Sequence, residues 1–202
     1  MIDLVSNFIF FFAVIDPIGT IPVFLAVTSA IDPGLRRGIA LQAVAVSAIV
    51  LIFFVVAGEL VLDALGIPLP AFQIAGGIVL FLFAMTMIFG ESKPEQELKM
   101  GGAGRDAAVF PLAIPSIASP GAMLAAVLQT ENASYTLFEQ AQIVGVMLAV
   151  LLVVLVLLLM SSSIHRLIGT AGASVISRVM WMILASVAVA SVLEGISLYF
   201  QL

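Results

Sequence analysis

Residues 140–164 read QAQIVGVMLAVLLVVLVLLLMSSSI, 25 positions without one Asp, Glu, Lys, Arg or His. A helix needs roughly 20 apolar residues to cross the hydrocarbon core of a bilayer, where every backbone polar group must be satisfied inside the segment. Three more segments free of those residue types, 38–58, 64–90 and 107–130, reach that length. Two further apolar stretches each carry one internal acid, Asp16 within 4–31 and Glu194 within 179–202. The sequence therefore predicts an all-α, polytopic membrane protein with six transmembrane helices. Composition agrees: 63% of the 202 residues are hydrophobic and 9% charged, against about 25% charged in soluble domains.

The start Met1-Ile2-Asp3 carries no Lys or Arg, so the first span is expected to be a retained helix rather than a cleaved signal. With no cysteine in the chain, thiol chemistry is excluded. Lys and Arg gather in cytoplasmic loops. Here Arg36 and Arg37 follow span 1, Lys93, Lys99 and Arg105 lie between spans 3 and 4, and Arg166 and Arg178 flank the start of span 6. The connections 61–70 and 131–139 have none. Both termini are thus expected outside the cytoplasm.

The most informative pattern is internal. Pro17-Ile-Gly19-Thr20-Ile-Pro22 in span 1 and Pro115-Ser116-Ile-Ala-Ser119-Pro120-Gly121 in span 4 both contain Pro-x4-Pro, and Pro115 lies 98 residues after Pro17. Each motif opens a set of three spans. The expected organisation is a first repeat over 1–100 (spans 4–31, 37–60 and 70–90) and a second over 101–202 (spans 107–130, 139–161 and 175–200). A cytoplasmic linker at 91–105 joins them. Three crossings per half invert one repeat relative to the other, the plan of many secondary transporters whose broken helices form a midplane site.

Proline inside a helix removes a donor and clashes with the preceding turn, so each Pro-x4-Pro is expected to kink or unwind its helix. Asp16-Pro17 and Ser119-Pro120 both read as an N-cap followed by the first helical residue. Two half-helices starting in mid-membrane would offer amides and positive dipole ends to a carboxylate, and carbonyls freed by the breaks would suit an ammonium group. The small residues Gly19, Thr20, Ser116, Ser119 and Gly121 favour a small neutral solute. An ionisable group in mid-span costs about 2.5–3.5 kcal/mol and reads as functional. Asp16 is therefore both a candidate helix cap and a candidate site for a coupling ion, H+ or Na+, with Glu194 as a second titrating candidate. Gln73, Gly76 and Gly77 in span 3 are supporting residues for tight helix packing.

No Walker glycine loop, HExxH or GxSxG occurs, and Asp16 alone is placed where an intramembrane aspartyl protease would need two acids. No enzyme activity, cofactor or metal is expected, and His165 has no metal-ligand company. The expected partners are a small-molecule solute, the lipid bilayer and further copies of the chain in a homo-oligomer, with no nucleic acid.

Ile15-Asp16-Pro17-Ile18-Gly19-Thr20-Ile21-Pro22, Phe72-Gln-Ile-Ala-Gly-Gly-Ile78, Phe110-Pro-Leu-Ala-Ile-Pro115 and Ser119-Pro120-Gly121 together resemble the MarC family of bacterial and archaeal inner-membrane proteins. The ending Arg178-Val-Met…Leu193-Glu194-Gly195-Ile196 looks like that family's last helix, with Glu194 where the family usually has Asp. Trp181 or a neighbour stands where it usually has Gly. The resemblance implies a multi-pass prokaryotic inner-membrane protein grouped with lysine-exporter-like transporters, some relatives of which carry alanine and glycine. The competing readings are a membrane scaffold or regulatory subunit, and a channel.

Overall fold

The structure is a computed structural model that describes residues 3–89, 107–130 and 135–201. The expected linker at 91–105 lies outside the described residues. Among the described residues eight helical elements follow in order: α1 Leu4–Ile15, α2 Pro17–Val27, α3 Pro33–Leu65, α4 Leu69–Phe89, α5 Val109–Ile117, α6 Pro120–Leu128, α7 Leu137–Leu159 and α8 Ser161–Phe200. Five helical units are long and apolar enough to cross a membrane, with α1 and α2 forming one of them over Leu4–Val27. The pair α5–α6, bent by 51°, raises the count to six if it crosses as one broken span. The protein is a polytopic all-α membrane protein.

Local signals set the ends. Asp32 caps α3 by accepting the Gly34 N–H at 2.7 Å, with Pro33 in the first turn. Thr136 and Glu139 form a reciprocal capping box at the start of α7, which satisfies two otherwise orphaned amides. α3 extends beyond the expected 37–60 to both sides because its Asp32 cap lies further upstream and helical geometry continues to Leu65. The last span agrees with the expected 175–200 to one residue, but the helix that carries it starts earlier. α8 begins at Ser161 and turns at Gly169 (φ 68°, ψ 174°), and its apolar span is Ser174–Phe200. The intervening SSSIHR is too polar to belong to a span.

The interrupted helices occupy the middle. The apolar window of Leu4–Val27 is 61% buried, against 33% or less for the other four long helices. Phe11, Ile15, Leu112 and Ile117 of the broken spans are fully buried with Ile143, Met147 and Leu151 of α7. Phe53, Val56, Leu82, Leu152 and Ile183 are exposed, the apolar coat that a bilayer requires. α4 and α8 run antiparallel and close: a Cβ on Gly77 would sit 2.9 Å from the Ala188 carbonyl oxygen, and one on Gly195 3.0 Å from that of Pro70. Further along the pair, Trp181 packs edge-on against Phe83, ring centroids 5.3 Å apart.

Candidate functional site

The first break falls at one residue. Asp16 adopts a left-handed conformation (φ 50°, ψ 66°) that ends α1, its N–H donating to the Phe12 carbonyl at 3.1 Å. It also starts α2, its carboxylate Oδ1 accepting the Gly19 N–H at 3.0 Å. The Thr20 hydroxyl donates to the Asp16 carbonyl at 3.1 Å. Gly19 is needed here: a Cβ would run into the Asp16 carboxylate and sit 2.8 Å from the Ser177 hydroxyl of α8. The expectation that Pro17 and Pro22 interrupt the helix between them is corrected. The break precedes Pro17, which occupies the first turn of α2, and Pro22 lies inside an unbroken helix. A proline five residues into a short helix sheds one hydrogen bond but does not end it when neighbouring helices hold the backbone.

The second break is wider. α5 is irregular, its backbone extended at Phe110 (φ −135°, ψ 122°) and Ile114 (φ −132°, ψ 122°). The residues before Pro111 and Pro115 take the extended form that a following proline favours. The Ala118 N–H returns to the Ala113 carbonyl at 2.8 Å. Ser119 (φ −71°, ψ 160°) then caps α6, its hydroxyl accepting the Ala122 N–H at 3.1 Å. The interruption thus begins upstream of Pro115 instead of lying between Pro115 and Pro120.

The two breaks meet. Ser116 donates its hydroxyl to Thr20 Oγ1 at 3.3 Å, joining residues 96 apart. The Ser119 hydroxyl lies 3.4 Å from the Val14 carbonyl, freed by the turn at Asp16. A Cβ on Gly121 would lie 3.1 Å from the Val14 side chain. Asp16, Thr20, Ser116 and Ser119 are 1%, 0%, 0% and 3% exposed, so the junction is closed. Two hydroxyls that the sequence did not single out complete it: Ser47 of α3 donates to the Ala113 carbonyl at 3.2 Å, and Ser177 faces Gly19. Lone serines in apolar helices carry no signal of their own in one sequence.

Other candidates sit elsewhere. Glu194 is exposed and accepts from the Gln73 amide at 3.1 Å, a pairing of α8 with α4 rather than with Asp16. Gly77 serves the α4–α8 contact, and a Cβ on Gly76 would meet the Leu124 side chain of α6. Among the described residues no three His, Cys, Asp or Glu side chains gather as a metal site. A cavity of about 320 Å³ opens on the far side of Pro120 and Gly121, against α3 and α4. Nearer one end of the bundle, the Gln129 amide donates to Asn7 Oδ1 at 3.3 Å, tying the end of α6 to α1.

Two interrupted helices packed break to break inside a coat of continuous ones define a class of polytopic membrane protein. The description "MarC family integral membrane protein" matches residues 1–200, and the chain belongs to the MarC family. It is 31% identical over 206 residues to the UPF0056 inner membrane protein YhgN of Escherichia coli K12, covering all of both chains. A UPF0056 membrane protein of Archaeoglobus fulgidus is 30% identical over 195 residues, covering 95% of this chain and 91% of its own. One from Buchnera aphidicola of Schizaphis graminum is 30% identical over 202 residues, covering both in full. No solved structure matches.

Proposed function

We propose that the protein is a secondary transporter of a small neutral solute, best a small neutral amino acid such as alanine or glycine, working by ion-coupled alternating access in the inner membrane. The observation that carries this reading is the contact between the two breaks, Ser116 on Thr20 and Ser119 on the Val14 carbonyl. Helix starts buried in the middle of a membrane protein gather amides, carbonyls and hydroxyls that lipid could not satisfy. Separating them exposes a polar chamber, and rejoining them closes it.

Electrostatics sharpens the chemistry. Both helix starts are capped, α2 by the Asp16 carboxyl and α6 by the Ser119 hydroxyl; the α6 cap is uncharged, so a solute carboxylate suits that start and a solute ammonium suits Asp16. A proton or Na+ at Asp16 would compete with that ammonium and thereby couple solute to ion. The closed junction also fits a scaffold whose broken helices serve only packing. Uptake of radiolabelled alanine and glycine into proteoliposomes separates the two: accumulation driven by an imposed proton or sodium gradient supports transport, and no flux with either gradient supports the scaffold.

A further inference from the structure

The cavity of about 320 Å³ lies between Phe54 of α3, Phe72, Gly76 and Leu80 of α4, and Gly121 and Leu124 of α6. Small residues make it: Ala75 and Gly76 on one wall and Gly121 on the floor leave space that Phe54 and Phe72 frame. Its lining side chains are hydrocarbon with one thioether, so water would find none of the two to four polar partners that hold it in a cavity. Neither is it enclosed by protein. Ala75 and Val79 are exposed, Val79 at 54%, and continue into the apolar coat formed by Phe53, Val56, Ile78 and Leu82. The medium that meets this opening is the bilayer core.

We infer that this crevice is a binding site for a lipid acyl chain, entering sideways between α3 and α4. Its floor is the first turn of α6, next to Ser119, which faces the Val14 carbonyl at the junction. Leu80 lines the crevice beside Gly121, where an added Cβ would collide with its side chain. A chain lodged there braces the α6 start against which the first break closes, so lipid occupancy and the state of the junction are linked. The inference concerns a ligand site and stands whether or not the junction carries a solute.

The chain has one tryptophan, the buried Trp181, which makes fluorescence quenching a direct test. In a Trp181→Phe background, Phe72→Trp places the fluorophore in the cavity wall and Val56→Trp places one on the open bilayer face, where Val56 is 73% exposed. Each variant is reconstituted in phosphatidylcholine with plain or dibrominated acyl chains. The expected result is quenching at position 72 comparable to that at position 56, and well above that of native Trp181. Adding Ala75→Phe, an exposed position whose new ring fills the crevice, lowers quenching at 72 to the Trp181 level and leaves 56 unchanged. Val79→Phe is a second filling variant at another exposed lining position, with thermal unfolding of each checked in parallel. Quenching at 72 no greater than at Trp181, or unaffected by both filling variants, overturns the assignment. Relief of that quenching by millimolar leucine also overturns it, assigning the crevice to a solute side chain.

Discussion

Asp16 combines two demands that point to different substitutions. Its left-handed backbone and its Oδ1 cap on Gly19 are conformational, and asparagine meets both, since it tolerates that region and caps as well. Its ionisable carboxylate is chemical, and asparagine lacks it. Asp16→Asn is therefore expected to keep the unfolding midpoint in detergent but to lose gradient-driven uptake. Asp16→Ala loses the cap and strains the turn, costing roughly 2–3 kcal/mol of stability. If Asp16→Asn and Asp16→Gly both unfold like Asp16→Ala, the carboxylate is structural. Gly19→Ala tests the same geometry from the other side: a methyl group must displace the Asp16 carboxyl or Ser177, so it is expected to damage uptake more than stability. These residues were legible because an acid in mid-span is conspicuous. Ser47 and Ser177 were not, because nothing local distinguishes them from serines that bond only their own helix.

Among the elements, the N-cap reading of Asp16-Pro17 and Ser119-Pro120 places the starts of α2 and α6 to the residue, whereas the kink expected inside each Pro-x4-Pro lies ahead of it. Proline ends a helix only when its position also deprives the turn of other support. Pro17 follows a residue able to take a left-handed turn and becomes the first turn of α2, whereas Pro22 is carried inside it. In the second half the residues ahead of Pro111 and Pro115 are extended, so α5 distorts over two turns. The contact between breaks can be measured by a double-mutant cycle on Thr20→Val and Ser116→Ala, expected to show coupling of about 0.5–1.5 kcal/mol; additive effects would mean the hydroxyls do not interact. For the coat, Gly77→Leu drives a side chain into the Ala188 carbonyl and is expected to destabilise by roughly 1–3 kcal/mol. Gly145→Leu on α7, with nothing within 4 Å, should be neutral.

Across the whole molecule, length and polarity decided most of the architecture: α4 and α7 fall within two residues of their expected limits. What the pattern of apolar runs could not reveal was which spans lie inside, because a buried span and a lipid-facing one are equally hydrophobic. Burial of the broken spans follows from their freed carbonyls, which need hydroxyl partners that lipid cannot supply. Orientation is a separate expectation from the Lys and Arg distribution. With no native cysteine, Gln201→Cys is expected to react with an impermeant maleimide in intact cells, and Arg36→Cys only after permeabilisation; the reverse pattern would invert the topology.

The central claim is that the closed junction of the two breaks opens to carry a solute. The most direct measurement is accumulation of radiolabelled alanine and glycine in proteoliposomes under imposed proton or sodium gradients, with the Asp16→Asn protein alongside. The native chain is expected to show gradient-dependent accumulation and a folded Asp16→Asn none. Equal, gradient-insensitive levels in native, Asp16→Asn and protein-free vesicles would contradict that claim.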